Sequence, residues 1–227
     1  MCHFVGTRHH QPSHHSVVPL LGGRAKVTPT KKNLSLAFCT AQFGALLGRC
    51  EITGKDSIAL GVELGMSLVL QRLSLVSENH NSVYVIGNGG SASVAGHAVV
   101  DLVNVAKLRA FTLHEPALLT CMANDYGYEQ AFARILAQIA KPGDILIAIS
   151  SSGNSWNIRN AATQMTDNGG TVITLSGFAG DNPLRSLGYI NIWLDSRDYG
   201  LVEIGHQFIL HNMSDRFGAG FQGKTAL

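Results

Sequence analysis

Short apolar runs alternate with helix-like segments through the middle and C-terminal parts of the chain. Five runs have the continuous apolar character of strands that are buried on both faces, and they lie at residues 82–87, 109–113, 144–150, 171–175 and 189–194. Helical spacing predicts helices at residues 91–105, 116–140 (with a break near Gly127), 154–168 and 201–217. This alternation predicts an α/β fold with three layers, αβα, around a parallel sheet.

Two strongly apolar segments precede this alternation. The first predicts a helix that starts near Leu34 and ends near Gly48. In the second, Asp56 is predicted to cap a helix along which Ile58, Leu60, Val62 and Leu64 are densely placed. A helix pair this apolar requires either core packing or a subunit interface.

The first 33 residues differ from the rest of the chain. They contain five histidines and a basic stretch, and Pro12, Pro19 and Pro29 interrupt any helix. We expect a disordered extension over residues 1–33, with a metal-binding tail as the alternative that the histidines leave open. Residues 34–217 are expected to form a single domain, because the chain is long enough for one sizeable core, and residues 218–227 a frayed tail.

Composition and charge narrow the class of protein. Only 14% of the residues are charged and the net charge is +2, so neither nucleic acid nor a membrane surface is an expected partner. No apolar run reaches the ~20 residues that span a bilayer. The four cysteines form no C-x-x-C pair, which favours reduced thiols in a cytoplasmic protein.

Two turns rich in glycine and serine carry most of the chemical information. Residues 87–91 (GNGGS) and 150–155 (SSSGNS) each follow a predicted buried strand and begin a predicted helix. Amides, hydroxyls and a helix N-terminus in such a turn can bind an anion. Either turn alone fits an ordinary loop, but the carboxyl ends of parallel strands share the sheet edge where ligands bind. Together they predict a phosphate site, without the lysine and magnesium ligands of phosphoryl transfer.

Candidate acid–base groups lie on the helices that follow. His97 and Asp101 are one turn apart on one face of a predicted helix, and Glu203 and His211 share a stripe of the last helix, with His206 on its other side. Two imidazoles and two carboxylates also suit zinc, manganese or iron(II). Spacing alone fits a surface ion pair or a core histidine equally well.

A further polar segment, residues 124–128 (NDYGY), breaks a helical stretch. Asn124 and Asp125 are predicted to line the same pocket, although a simple turn between two helices explains the segment equally well.

The order of these motifs resembles the sugar isomerase (SIS) family, and within it the phosphoheptose isomerases. The resemblance covers residues 55–217 and rests on GNGGSAS, H-x-x-x-D, ANDYGYE, ISSSGNS, TLSGF and VE-x-x-H-x-x-x-x-H. It implies a flavodoxin-like sheet of five parallel strands and a homotetramer with sites at subunit interfaces. It also implies interconversion of sedoheptulose 7-phosphate and glycero-manno-heptose 7-phosphate through an enediol, without an organic cofactor.

The resemblance also assigns roles to residues of this chain. Asp101 matches the catalytic base and His211 the catalytic acid, and zinc is implied at His97, Asp101, Glu203 and His211. The implied substrate-binding residues are Asn88, Gly89, Gly90, Ser91, Ser150, Ser151, Ser152, Ser155 and Glu203.

Two positions depart from the family pattern. Asp101 stands where the family usually has glutamate, and Glu203 where it usually has glutamine; the family's substrate-contacting arginine has no match in the short loop at 104–108. The departures at Asp101 and Glu203 keep open an isomerase of another sugar phosphate. A non-catalytic phosphosugar-binding or protein-binding regulator is a second alternative, against which the presence of His211 and of a carboxylate at Asp101 argues. A lyase or esterase of amino-sugar phosphates is less favoured.

Overall fold

The computed structural model describes residues 33–220. They form seven α-helices: α1 Leu36–Gly48, α2 Val62–Glu78, α3 Gly90–Asn104, α4 Pro116–Tyr126, α5 Ala131–Ile139, α6 Trp156–Asp167 and α7 Tyr199–Gly218. The seven strands are β1 Glu51–Gly54, β2 Ala59–Leu60, β3 Val83–Ile86, β4 Ala110–Thr112, β5 Ile145–Ser150, β6 Thr171–Ser176 and β7 Ile190–Trp193. All but the last residue of the predicted disordered extension at 1–33 lies outside the described residues, and so do residues 221–227 of the predicted frayed tail at 218–227.

Five parallel strands form the centre of the sheet, in the order β7–β6–β5–β3–β4. This is the flavodoxin-like order that the sequence predicted. Every residue of β3 and β5 is buried, which explains why these strands read as continuous apolar runs. The strand order changes direction between β3 and β5, so a crevice opens at their carboxyl ends, where α/β proteins bind ligands.

The sheet has seven strands, and the prediction of five was wrong in number. β1 pairs antiparallel with β7, and β2 pairs antiparallel with β1, so that Ile52 lies opposite Leu60. The connecting turn places Asp56 in the left-handed region, at φ 59°, which aspartate tolerates better than most residues. The helix predicted to start near Asp56 therefore starts at Val62, because residues 51–60 extend the sheet.

Helices cover both faces of the sheet and complete the three predicted layers. One apolar core joins the sheet to α1, α2, α3 and α7, and a second joins the opposite face to α5 and α6. Val69 and Leu73 of α2 are fully buried in the first core, and burial of each such side chain stabilises the fold by about 1.5–3 kcal/mol. On this face α3 packs directly against α7, which brings side chains of the two helices together.

No helix within residues 33–220 combines the length and the apolar character needed to cross a membrane.

Candidate active site

A small polar pocket lies at the carboxyl ends of β3 and β5, where the sequence predicted a phosphate site. Its volume is about 150 Å³, and its lining consists of Asn88, Ser91, Ile149, Ser150, Ser151, Ser152, Ser155, Tyr199 and Glu203. We call it the serine pocket. The two predicted turns therefore converge, and they place hydroxyl donors beside the N-termini of α3 and α6.

The first turn is shaped by two glycines. Gly89 has φ 53°, a left-handed conformation that glycine adopts without a steric penalty. A β-carbon at Gly87 would overlap the backbone of Ser91, so the chain can double back closely only with glycine there. The turn consequently begins α3 with its amides next to the pocket.

The second turn contains a buried hydroxyl group without a partner in the described chain. Ser151 is only 4% exposed, and its Oγ has no hydrogen-bond partner among the described residues. An unpartnered buried hydroxyl costs about 1–3 kcal/mol, so a bound oxygen acceptor would remove a real penalty. By contrast, the Ser150 hydroxyl already donates to Oγ of Ser155, at 3.3 Å. Ser151 is thus the serine best prepared to bind an anion.

Asn88 is held in place by a hydrogen-bond network that sequence reasoning missed. Its side-chain amide donates to Oδ1 of Asn157 and accepts from Nδ2 of Asn157, both at 2.9 Å. The Tyr128 hydroxyl also donates to Oδ1 of Asn88, at 2.8 Å. Tyr128 and Asn157 come from separate parts of the chain, so no local pattern could have linked them to Asn88.

His114 supports the same turn from the neighbouring strand. Its Nε2 lies 3.0 Å from the carbonyl oxygen of Gly87. Burial lowers the pKa of His114 below its ordinary value, with the Gly87 carbonyl acting in the opposite direction. The same Nε2 lies 3.4 Å from the backbone amide nitrogen of Gly87, so the ring contacts both polar groups of that residue and positions the turn, a role the sequence did not reveal.

Three side chains form a second group on the adjoining faces of α3 and α7. Nδ1 of His211 lies 2.7 Å from Oδ2 of Asp101. Nε2 of His97 lies 3.8 Å from the same oxygen. The two imidazole rings have centroids 4.7 Å apart. The Asp101 side chain is 14% exposed, whereas His97 and His211 are 52% and 43% exposed, so one side of the group faces outward. We call these residues the His–Asp group.

The donor atoms of the His–Asp group suit a divalent metal. One ligand atom from each residue lies within 4.8 Å of the others. Oδ2 of Asp101 is buried without a hydrogen bond of acceptable geometry, despite its nearness to His211. Two imidazole nitrogens and a carboxylate oxygen form the three-ligand set of a zinc site with an open fourth position. The residues present therefore fit a metal.

The four-residue metal set predicted from the sequence is brought together only in part. Glu203 is not among the described residues that form the His–Asp group, and its carboxylate lines the serine pocket beside Gly90. Its role as a metal ligand stays a prediction. Tyr199, which the sequence analysis did not select, lines the same pocket. Tyr199 and Glu203 are one turn apart on α7, so helical spacing was the signal that could have found it.

Asn124 and Asp125 do not line the serine pocket in the described part of the chain. They are exposed near the end of α4, where Nδ2 of Asn124 donates to Oδ1 of Asp125 at 3.0 Å and Cys121 lies against the other oxygen. Their predicted contact with substrate stays a prediction.

His206 faces away from the pocket, as its position on α7 predicted. It is fully buried, with Nε2 3.1 Å from the carbonyl oxygen of Ser176 at the end of β6. Burial lowers the pKa of His206 to about 4, against a smaller opposing effect of that carbonyl. The neutral ring therefore holds α7 onto the sheet beneath the serine pocket.

Known proteins share both the sequence and the fold. A SIS-domain family model matches residues 68–177. A phosphoheptose isomerase from Citrifermentans bemidjiense is 32% identical over 178 residues, which are 75% of this chain and 90% of the relative. Another from Mycobacterium tuberculosis is 37% identical over 139 residues, or 59% of this chain and 70% of the relative.

Solved structures give the same result. A phosphoheptose isomerase from Francisella tularensis superposes with a TM-score of 0.70 at 25% identity, covering 81% of this chain and 94% of that one. A second, from Neisseria gonorrhoeae, has a TM-score of 0.61 at 26% identity and covers 69% of this chain and 85% of that one. The chain belongs to the SIS-domain sugar isomerase family, in its phosphoheptose isomerase branch.

Proposed function

We propose that this protein is a cytoplasmic ketose–aldose isomerase that interconverts sedoheptulose 7-phosphate and glycero-manno-heptose 7-phosphate. One observation carries the proposal: a carboxylate and an imidazole, Asp101 and His211, lie 2.7 Å apart on the two helices that also line the serine pocket. An anion site together with an acid–base pair is the minimum that this reaction needs. The names of the relatives support the choice of a heptose phosphate.

The spacing along the helices suits a long sugar chain. Glu203 in the serine pocket and His211 in the His–Asp group are eight residues apart on α7, which is about 12 Å along a helix axis. A phosphate held at the pocket would therefore place the far end of an extended sugar near the His–Asp group. A longer sugar chain spans this separation more readily than a short one, which supports a substrate of the heptose class.

The chemistry assigned to the pair is one proton transfer between neighbouring carbons and one between their oxygens. Asp101, as an ionised carboxylate, would remove the carbon-bound proton and return it to the adjacent carbon. His211 would move the proton between the two oxygens as the enediol forms and collapses. The shielded position of Asp101 and the more open position of His211 agree with these roles, because a base beside carbon needs little water access.

Zinc is the metal we propose for the His–Asp group, with His97, Asp101 and His211 as its ligands. When bound, it would supply a positive charge that stabilises the oxygens of the enediolate. Two carboxylate oxygens are available at Asp101, so metal binding and proton transfer do not require the same atom.

A homotetramer with sites at subunit interfaces is part of the proposal. Val100 and Val103 of α3 and Ile204 and Phe208 of α7 are exposed apolar side chains on the helices that carry the His–Asp group. A second subunit that covered them would bury apolar surface and restrict water at the site. Light scattering coupled to gel filtration measures this directly, and a monomer would contradict it.

The activity is tested with the full chain, purified with its bound metals. Proton NMR in deuterium oxide would follow aldose formation from sedoheptulose 7-phosphate and deuterium uptake at C1 or C2. We expect turnover in the native protein and in the control Asp215→Asn, an exposed position at the far end of α7. Asp101→Asn should lose both turnover and exchange, because it keeps the shape of the side chain but removes the base.

Binding of the sugar phosphate without turnover or exchange, including in metal-supplemented buffer, would contradict the isomerase. That result would identify a non-catalytic phosphosugar-binding protein. Turnover of another ketose phosphate in preference to the heptose would keep the mechanism and change the substrate.

A further inference from the structure

The charge of the serine pocket is opposite to what an anion site usually provides. Lysine and arginine are absent from the residues that line it in the described chain, and the charged residue among them is Glu203. The phosphate-binding donors are therefore neutral hydroxyls, amides and two helix N-termini. A formal negative charge next to these donors needs a physical explanation.

The Glu203 carboxylate lies directly beside the backbone of the first turn, at Gly90. A β-carbon at residue 90 would overlap this carboxylate, so Gly90 provides the space in which the carboxylate sits. That space lies at the first residue of α3, where the helix N-terminus favours negative charge. Glu203 is half-buried, which limits the screening of its charge by water.

A carboxylate in this position acts differently on two kinds of anion. It repels any phosphate group in the pocket, and at a few ångströms in partly shielded surroundings the repulsion exceeds 1.4 kcal/mol, about tenfold in affinity. It also accepts hydrogen bonds strongly, and a sugar chain attached to the phosphate supplies hydroxyl donors for it. Inorganic phosphate undergoes the repulsion and brings no sugar hydroxyls to offset it.

We infer that Glu203 determines the specificity of the serine pocket, restricting it to phosphate esters of polyhydroxylated carbon chains and excluding free inorganic phosphate. This inference rests on the proposed function, because it requires that phosphate binds in the serine pocket. It adds that the negative charge of Glu203 discriminates among anions that share the same phosphate group.

The test compares two ligands that undergo no isomerisation, sorbitol 6-phosphate and inorganic phosphate. Isothermal titration calorimetry at one pH would use the full chain as purified, in native form and as Glu203→Gln. The matched control is Glu78→Gln, which removes the same charge at the exposed end of α2. Because glutamine keeps the size of the side chain, the variant isolates the effect of the charge.

For Glu203→Gln we expect inorganic phosphate to bind roughly tenfold more tightly or better. Sorbitol 6-phosphate should change by less than about threefold, because weaker hydroxyl contacts offset the lost repulsion. The preference for the ester should therefore fall by several-fold, and Glu78→Gln should retain the native preference.

Two results would overturn this inference and leave the proposed function intact. Unchanged affinity for inorganic phosphate in Glu203→Gln would show that the carboxylate does not repel it, and weaker affinity would show that the carboxylate acts through a bound cation. Failure of the native protein to bind sorbitol 6-phosphate would be a different result, because it would overturn the phosphate site and the proposed function as well.

Discussion

Protonation of the buried His206 should destabilise the fold as the pH falls. Its pKa is lowered from 6.5 to about 4 in the folded chain, so the folded state resists a proton that the unfolded chain binds readily. Between pH 6.5 and about 4, His206 therefore binds more protons in the unfolded chain than in the folded chain. The free energy of unfolding decreases as the pH falls through this window. At about 1.4 kcal/mol per pKa unit, the total loss is about 3 kcal/mol, of which about 1 is reached by pH 5.5.

The comparison variant is His206→Gln, which keeps a side-chain donor for the carbonyl of Ser176 but does not titrate. Urea unfolding of both proteins, at one protein concentration and at several pH values from 7.5 to 4, gives the free energy of unfolding. The quantity compared is the slope of the free energy of unfolding with pH, because the substitution itself changes the absolute stability at pH 7.5. Equal slopes for the two proteins would refute the reasoning, because they would show that His206 does not carry the difference in bound protons.

Three further predictions concern the site itself. Ser151→Ala should weaken sorbitol 6-phosphate binding by about tenfold in calorimetry, because it removes a hydroxyl donor for the phosphate. The temperature midpoint of unfolding should stay unchanged or rise slightly, because the hydroxyl that is removed is buried without a partner in the described part of the chain, and a lowered midpoint would contradict this. Gly90→Ala should displace the Glu203 carboxylate from the serine pocket and change the free energy of unfolding by less than about 1 kcal/mol, because its β-carbon would overlap only the movable end of that side chain; a larger loss in urea unfolding would contradict this. His97→Ala should remove most of the bound zinc measured by elemental analysis, because it deletes one of three ligands, and full retention of zinc would count against the His–Asp group as the metal site.

Much of the fold could be predicted because the parallel strands are buried on both faces. Continuous apolar runs such as that of β5 are local signals, and glycine and serine directly after them mark the turns. The β1–β2 hairpin was missed because its pairing with β7 is far away in sequence. Ile58 is 63% exposed, so the apolar density that suggested a helix there did not reflect burial.

The candidate site could be predicted where its members are close along one helix. His97 and Asp101 are one turn apart, and that spacing alone placed them on one face. Periodicity was insufficient for Glu203 and His211, because a shared stripe does not bring together residues separated by two helical turns. The Asn88 network with Asn157 and Tyr128 depends on tertiary packing, which no spacing rule describes.

The antiparallel hairpin also protects the sheet against self-association. Without β1, the apolar strand β7 would present a row of unpaired backbone amides and carbonyls to other molecules. With the hairpin in place, the outermost strand on that side is β2, which has only two residues. Local opening of the hairpin, well short of global unfolding, would therefore expose the surface from which intermolecular strand pairing and aggregation start.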